Sequence, residues 1–327
     1  MENHLLEYIE IKNFKCFDDF KAEGFKRVNL IGGKNNVGKT ALMEACYINI
    51  YAQEVKSFLF SLVRIKFRRE FVSIFSSPNL NLSDFLTQNI KGLIEQCNHI
   101  ITQSNMNLAS YKIEEKEGVK SYIFEFNNQE IKVNTNQFSF EVLPIQNIIF
   151  IDNVGLSDSD IIYNYSAIQK QDAELILNTL LNEFDPRIQA FKIIDEKPQC
   201  KINGQYLEIT ELGDGSRHLV SIVTSLYKTQ NGYLFIDEID NGIHYTMLDK
   251  LWETVLTLAK QQNVQVFATT HSKECIESYY RAAKKLEEQD IAYIRLSRLK
   301  SGKIKAGVHD YELLENSIGQ SYEVRGW

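Results

Sequence analysis

Apolar and polar positions change period several times along the chain, and each change predicts an element. Residues 7–12 alternate, while 27–32 form an apolar run that enters Gly32-Gly33, so both read as strands. A helix should follow from Lys39 to about Val55. From 56 to 110 the pattern turns mixed and helical, which reads as an inserted helical segment. Alternation in 111–115, 121–126, 130–134 and 138–142, with an Asn127-Asn128 turn, predicts an antiparallel β-lobe. Helical spacing occupies 157–184, and short strands surround Asn203-Gly204 over 191–209. Next come a helix at 215–229, a strand at 232–237, a helix at 246–261, a strand at 264–269 and a short helix. The last segment reads as two strands around Ser301-Gly302 and a short helix.

Strands that alternate with helices predict an α/β fold whose mostly parallel sheet is covered on both faces. The expected division is 1–55, 56–110, 111–151, 152–275 and 276–327: first part of the core, helical insertion, β-lobe, second part of the core, and terminal strands with a helix. No sequence repeat or sustained heptad array occurs, which argues against a long coiled-coil arm.

Three short stretches carry chemistry. Gly33-Lys34-Asn35-Asn36-Val37-Gly38-Lys39-Thr40 follows an apolar strand and opens a helix, and it fits GxxxxGK[ST]. In that arrangement backbone N–H groups up to Ala41 and the helix N-terminus cradle phosphates. Lys39 would reach the β- and γ-phosphate oxygens of ATP, and the Thr40 hydroxyl would ligate Mg²⁺. Tyr233 to Glu238 is an apolar strand that ends in two carboxylates, costly to bury unless they serve a cation or a proton. Asp237 would hold Mg²⁺ through water, and Glu238 would act as general base on the attacking water. The strand Val264–Thr269 runs into Thr270-His271-Ser272, where His271 could hydrogen-bond a γ-phosphate oxygen.

Composition narrows the setting. Hydrophobic residues make up 44% and charged residues 24%, enough apolar side chain for a real core. A net charge of −7 gives no global reason to bind nucleic acid, so such binding would need a local patch. Arg64, Lys66, Arg68 and Arg69, beside Phe67 and Phe71, are the dense candidates, although a charge run is usually a solvated helix face. The five cysteines, Cys16, Cys46, Cys97, Cys200 and Cys275, are scattered without a CxxC pair, which suits a reducing compartment. An acidic N-terminus and the lack of a spanning apolar run suggest a soluble cytoplasmic protein without membrane contact.

Taken in this order, the motifs resemble those of ABC-type ATPase heads of the SMC, RecF and OLD families, and most of all compact bacterial AAA-type ATPases encoded beside nuclease partners. Ile9 to Phe17 is similar to the IxNFRxF start of those heads, where this strand and turn, with Lys15, lie near the adenine. The resemblance implies an ABC-type P-loop head with ATP and Mg²⁺ as its ligands. It also implies a homodimer in which the P-loop of one subunit meets a signature motif of the other. Leu212-Gly213-Asp214-Gly215-Ser216 looks like that signature, with Gly213 where LSGGQ has Ser and Asp214 in place of a Gly. Gly213, Gly215 and Ser216 are its candidate contacts, and Ser216 or Arg217 could compensate for the departures. Asp240-Asn241-Gly242-Ile243-His244 resembles the D-loop, and Gln146 is the candidate Q-loop ligand of Mg²⁺.

Only 56 residues follow His271 and they lack a clustered acidic DxD, so the expected effector, a nuclease or toxin, is encoded separately. The resemblance makes an anti-phage defence module the expected setting. Residues 56–75 and the C-terminal segment ending in Trp327 are apolar-rich surfaces that could host a partner, although Trp327 reads more readily as an ordinary packed terminus. Two other functions fit the motifs: a RecF/SMC-like repair ATPase that clamps DNA, and a non-hydrolysing ATP-sensing scaffold, against which Glu238 argues.

Overall fold

A computed structural model describes residues 5–66, 99–116, 119–134 and 147–319 of the 327. In chain order the elements begin with strands β1 (Tyr8–Phe14), β2 (Phe17–Glu23) and β3 (Val28–Gly33), followed by helices α1 (Lys39–Tyr51) and α2 (Val55–Lys66). Strands β4 (His99–Ser104), β5 (Leu108–Lys116), β6 (Val119–Phe126), β7 (Gln129–Asn134) and β8 (Ile148–Ile151) follow. Next are α3 (Asp158–Lys170), α4 (Glu174–Phe184), β9 (Ile188–Ile194), β10 (Lys197–Ile202) and β11 (Gln205–Glu208). The chain continues through α5 (Asp214–Lys228), β12 (Tyr233–Ile236), α6 (Leu248–Gln261), β13 (Gln265–Thr269) and α7 (Lys273–Lys285), and then β14 (Ile291–Arg298), β15 (Ile304–His309) and α8 (Tyr311–Gly319). These fall into two compact units: Met1–Phe25, Asn36–Ile145 and Leu296–Val308 form the first, and Lys26–Asn35, Gln146–Arg295 and His309–Trp327 the second, each over its described residues.

In the first unit, β2-β1-β4-β5-β6-β7 form one antiparallel sheet. Alternation sets its inner face: Ile9, Ile11 and Phe14 of β1 and Phe17, Phe20 and Ala22 of β2 are buried. Amphipathic α2 buries Phe58, Leu59, Leu62 and Val63, and the Phe58 ring lies 5.8 Å from Phe124 and 6.2 Å from Phe126. A buried polar network binds α1 to the β4–β5 turn. Asn49 Nδ2 donates to the carbonyls of Thr102 at 3.1 Å and Asn107 at 3.0 Å, and the Ser104 hydroxyl donates to Asn49 Oδ1 at 2.6 Å. These partners satisfy both ends of the buried Asn49 amide.

The second unit is built on parallel strands. β8, β12, β13 and β3 lie side by side, with Ile236 opposite Ile151 and Ala268, and Ala268 opposite Leu30. β14 flanks β3. One face of this sheet, with Leu30, Leu234, Ile236, Val266 and Ala268, shares a core with α3 to α7, where Trp252 packs on Tyr279 at 4.6 Å. The other face stacks Phe235 between Phe150 at 5.9 Å and Phe267 at 5.3 Å. Strands buried on both faces read as continuous apolar runs, as 148–151 and 233–236 do. A three-stranded antiparallel sheet, β11-β10-β9, completes the unit.

Several expectations change. Residues 99–104 are a strand paired with β1, not part of a helical insertion. The predicted lobe at 111–151 is not a separate sheet, because β5–β7 continue the one begun by β1 and β2, and β8 belongs to the parallel sheet. The strand expected at 138–142 lies outside the described residues, as do Arg68, Arg69, Gln146 and Trp327. No helix among the described residues is long and apolar enough to cross a membrane.

Candidate active site

In the second unit, parallel register brings the C-terminal ends of β8, β12, β13 and β3 to one edge, the place where open α/β sheets bind ligands. The chain leaves those strands as Asp152, Asp237-Glu238, Thr269-Thr270-His271 and Gly32-Gly33. Backbone bonds extend the ladder beyond the strands: Asp237 N–H donates to the Ile151 carbonyl at 2.9 Å, and Thr270 N–H to the Ile31 carbonyl at 3.1 Å.

Asp237 is buried at 6% exposure, and its Oδ1 accepts the Thr269 hydroxyl at 2.8 Å. Glu238 adopts a left-handed backbone at φ 50°, and its side chain is 39% exposed. The half-exposed His271 ring places Nδ1 3.9 Å from Glu238 Oε1. A solvent-accessible carboxylate and imidazole thus lie side by side, as a base and a phosphate-oxygen donor would need.

The turn after Glu238 is tied to its neighbours. The Thr270 hydroxyl donates to Asp240 Oδ1 at 2.7 Å; burial raises the Asp240 carboxyl above its ordinary value, against the lowering effect of that bond. Asn241 N–H donates to the Glu238 carbonyl at 2.8 Å, and its side chain to the Asn153 carbonyl at 2.6 Å. His218, 1% exposed, lies beneath this turn; burial lowers its pKa to about 4, while the Ile239 backbone and the Asp152 carboxylate pull the other way.

The phosphate-loop candidate is one covalent stretch that passes from the second unit to the first after Asn35. Lys34, Asn35 and Asn36 are exposed, whereas Val37 is buried. Gly38 caps α1 at φ 101°, and a Cβ there would sit 2.7 Å from the Cys16 sulfur, so the position needs glycine on both counts. Lys39 and Thr40 open α1, whose first turn contains no acidic residue. A helix N-terminus of this kind, its dipole not offset by an acidic side chain in the first turn, favours an anion. Lys15, at φ 52°, is ion-paired with the buried Glu44 on α1 in the first unit.

The signature candidate spans the N-terminus of α5. Gly213 and Asp214 are exposed, but Gly215 is buried and Ser216 is only 2% exposed, so the motif presents its second and third residues to solvent. Arg217 is engaged within its own chain, donating to the Leu156 carbonyl at 2.8 Å and to Asp158 Oδ1 at 2.6 Å.

Hard oxygen donors fit Mg²⁺. This cation is commonly held by one or two carboxylates, a hydroxyl, water and substrate phosphates, not by an all-protein cage. Asp237 carries a carboxylate and Thr40 a hydroxyl, donors of the type such a cation takes, and no group of three or more His, Cys, Asp or Glu suited to a metal occurs among the described residues. Gln146 lies outside them. The residue that leaves β8 at this edge of the sheet is Asp152, 8% exposed. Sequence reasoning gave no role to Asp152, Thr269 or Thr270; the only signal was their place at or just beyond the ends of apolar strands.

Residues 5–65 and 66–276 match the sequence model described as the AAA ATPase domain. A Helicobacter pylori protein named ATP/GTP phosphatase is 25% identical over 337 residues, covering 88% of this chain and 90% of that protein. Among solved structures, the SMC head bound to the C-winged helix domain of ScpA is similar at a TM-score of 0.50 and 12% identity, covering 96% of this chain and 99% of that one. The Pyrococcus furiosus SMC head with an extended coiled coil, bound to the C-terminal domain of ScpA, gives 0.50 at 9% identity, covering 97% and 99%. At these identities the likeness concerns the fold, that of an ABC-type P-loop ATPase head.

Proposed function

Because the chain belongs to the AAA ATPase domain family, we propose that this ATPase hydrolyses ATP with Glu238 as general base, and that two copies of its ABC-type head pair during the cycle. The observation that carries this reading is Glu238 itself, fixed at the end of β12 beside Asp237, with His271 Nδ1 3.9 Å from its carboxylate. The naming of the Helicobacter pylori relative as an ATP/GTP phosphatase supports nucleoside triphosphate hydrolysis.

In this mechanism the N–H groups from Gly33 to Ala41 orient the phosphates, and the Lys39 ammonium draws negative charge away from the γ-phosphoryl as it transfers. Thr40 and Asp237 would hold Mg²⁺, which when bound would supply neutralisation of the phosphate charge. Glu238 accepts a proton from the attacking water, and His271 hydrogen-bonds a γ-phosphate oxygen. Lys15 borders the nucleotide from the β1–β2 turn. Asp152, which follows β8 at the same sheet edge as Asp237, is a further candidate acid beside the metal.

Pairing gives a role to the exposed Gly213-Asp214 end of α5, whose N–H groups then face the γ-phosphate bound by the opposing copy. Closure on ATP and opening after hydrolysis then drive a separately encoded effector, a nuclease or toxin of an anti-phage module. Glu238→Gln tests the base. It should bind ATP as wild type does, yet turn over at least about 100-fold more slowly. Wild-type turnover in that variant would remove Glu238 from the role. Turnover per subunit should rise with protein concentration, and a constant value across the dilution series would refute pairing.

A further inference from the structure

The last residue of β13, Thr269, is fully buried and uses its one hydroxyl in two directions. Its Oγ1 accepts the Glu238 backbone N–H at 2.8 Å and donates to Asp237 Oδ1 at 2.8 Å. The polarity is unambiguous, because an amide N–H can only donate and the hydroxyl proton is left for the carboxylate. The Thr269 carbonyl then accepts the Ile239 N–H at 3.0 Å. One residue therefore grips three successive positions, Asp237, Glu238 and Ile239.

Glu238 has a reason to need that grip. Its φ of 50° costs a side-chain-bearing residue about 1–2 kcal/mol, so the turn persists only where its surroundings hold it. The hydrogen bond to Thr269 Oγ1 sits at this strained residue. Two positions further along, His271 faces the Glu238 carboxylate, so the segment that anchors the acid also carries the imidazole.

We infer that Thr269 is the positioning residue of the hydrolytic site, one hydroxyl that aims the Asp237 carboxylate at the metal and sets the Glu238 backbone from which the base projects. This rests on the assignment of Glu238 as base and Asp237 as metal donor. Thr269 is fully buried and acts through the Asp237 side chain and the Glu238 backbone. Removing its hydroxyl alters the acids, not the phosphate cradle.

The test compares Thr269→Val, which keeps the branched shape and loses the hydroxyl, with Thr269→Ser, which keeps the hydroxyl. Three quantities are read in the full chain: kcat, ATP affinity without divalent metal, and the Mn²⁺ concentration that half-saturates the ATP complex, followed by the loss of free Mn²⁺ electron resonance. For Thr269→Val the expected result is kcat lower by about 10–100-fold, half-saturating Mn²⁺ raised by about ten-fold and metal-free ATP affinity within about two-fold of wild type. Thr269→Ser should return the first two to within about three-fold of wild type. A purely structural role would lower the melting temperature without moving the Mn²⁺ requirement.

The inference is overturned if Thr269→Val keeps wild-type kcat and Mn²⁺ requirement, or if Thr269→Ser is as impaired as Thr269→Val. Glu238→Gln, run alongside, separates the two levels. A neutral Thr269→Val beside an inactive Glu238→Gln sinks Thr269 alone. An active Glu238→Gln sinks the base, and the Mn²⁺ shift in Thr269→Val then decides whether Thr269 holds Asp237.

Discussion

Gly215, in the first turn of α5, packs so closely on Gly242 that a Cβ on Gly215 would lie 2.1 Å from the Gly242 carbonyl oxygen and 2.9 Å from the Phe184 ring. The signature candidate and the D-loop candidate thus touch backbone to backbone within one chain. Alanine in a helix gains about 1 kcal/mol over glycine, but forcing a methyl into a filled contact costs about 1–3 kcal/mol. Because the obstacle here is backbone, the clash should win. Gly215→Ala is expected to unfold at lower urea, and Gly242→Ala lower still, since Gly242 also has φ 70°. A Gly215→Ala midpoint at or above wild type would contradict the close contact.

His218 predicts an acid limit to stability. Its folded pKa is lowered to about 4, chiefly by burial, from an ordinary 6.5. Below about pH 6.5 the unfolded chain takes up a proton that the folded chain refuses until about pH 4, so this contribution is intact above 6.5 and lost as pH falls through that window. Between pH 7 and pH 5 the loss is about 2 kcal/mol. His218→Gln, which does not titrate, should flatten that part of the urea-measured profile, whatever it does to stability at pH 7. An unchanged acid slope in the variant would place the lost stability on other groups.

What could be read from sequence depended on how local the cause was. Asn127-Asn128 and Asn203-Gly204 announced their hairpins because those residues tolerate the positive φ they adopt. The equivalent turn at Asp195-Glu196, with φ 49° and 58°, was not marked, since glutamate carries no such preference. The phosphate loop and the two acids were legible because each is contiguous. Thr269 was not: its role comes from the parallel pairing of β12 with β13, and nothing in an apolar run that ends in threonine states which strand lies beside it. For the same reason β4 was read with its helical neighbours, although pairing with β1 makes it a strand.

Lys15 offers a test of a residue with two readings. The resemblance places it near the adenine, while the fold pairs its ammonium with Glu44, whose side chain is 4% exposed. Lys15 itself is 46% exposed, so solvent screens the pair, and Lys15→Ala should cost about 1–2 kcal/mol, less than a fully buried pair. Adding Glu44→Gln to that variant should recover part of the loss, because it removes the charge that the lysine faces. Urea unfolding of the two single variants and the double variant measures the coupling. Additive losses would mean that the pair contributes nothing.

Arg217 separates a contact within the chain from one across a pair of heads. Its guanidinium bonds the Leu156 carbonyl at 2.8 Å and Asp158 at 2.6 Å, and it is only 17% exposed as a side chain. The Ser221 hydroxyl reinforces the same junction, accepting the Leu156 N–H at 2.9 Å and donating to the Arg217 carbonyl at 2.8 Å. Together these bonds hold the segment after β8 against α5, behind the signature candidate. If Arg217 serves that junction, Arg217→Ala and Asp158→Ala should each destabilise the chain, with a coupling of about 1 kcal/mol in the double variant, and should lower turnover to similar extents. If Arg217 instead serves the nucleotide of a partner, Asp158→Ala should free it and leave turnover at or above wild type while Arg217→Ala abolishes it. Parallel ATPase and unfolding measurements on the three variants decide between these, and the cis geometry predicts the first pattern.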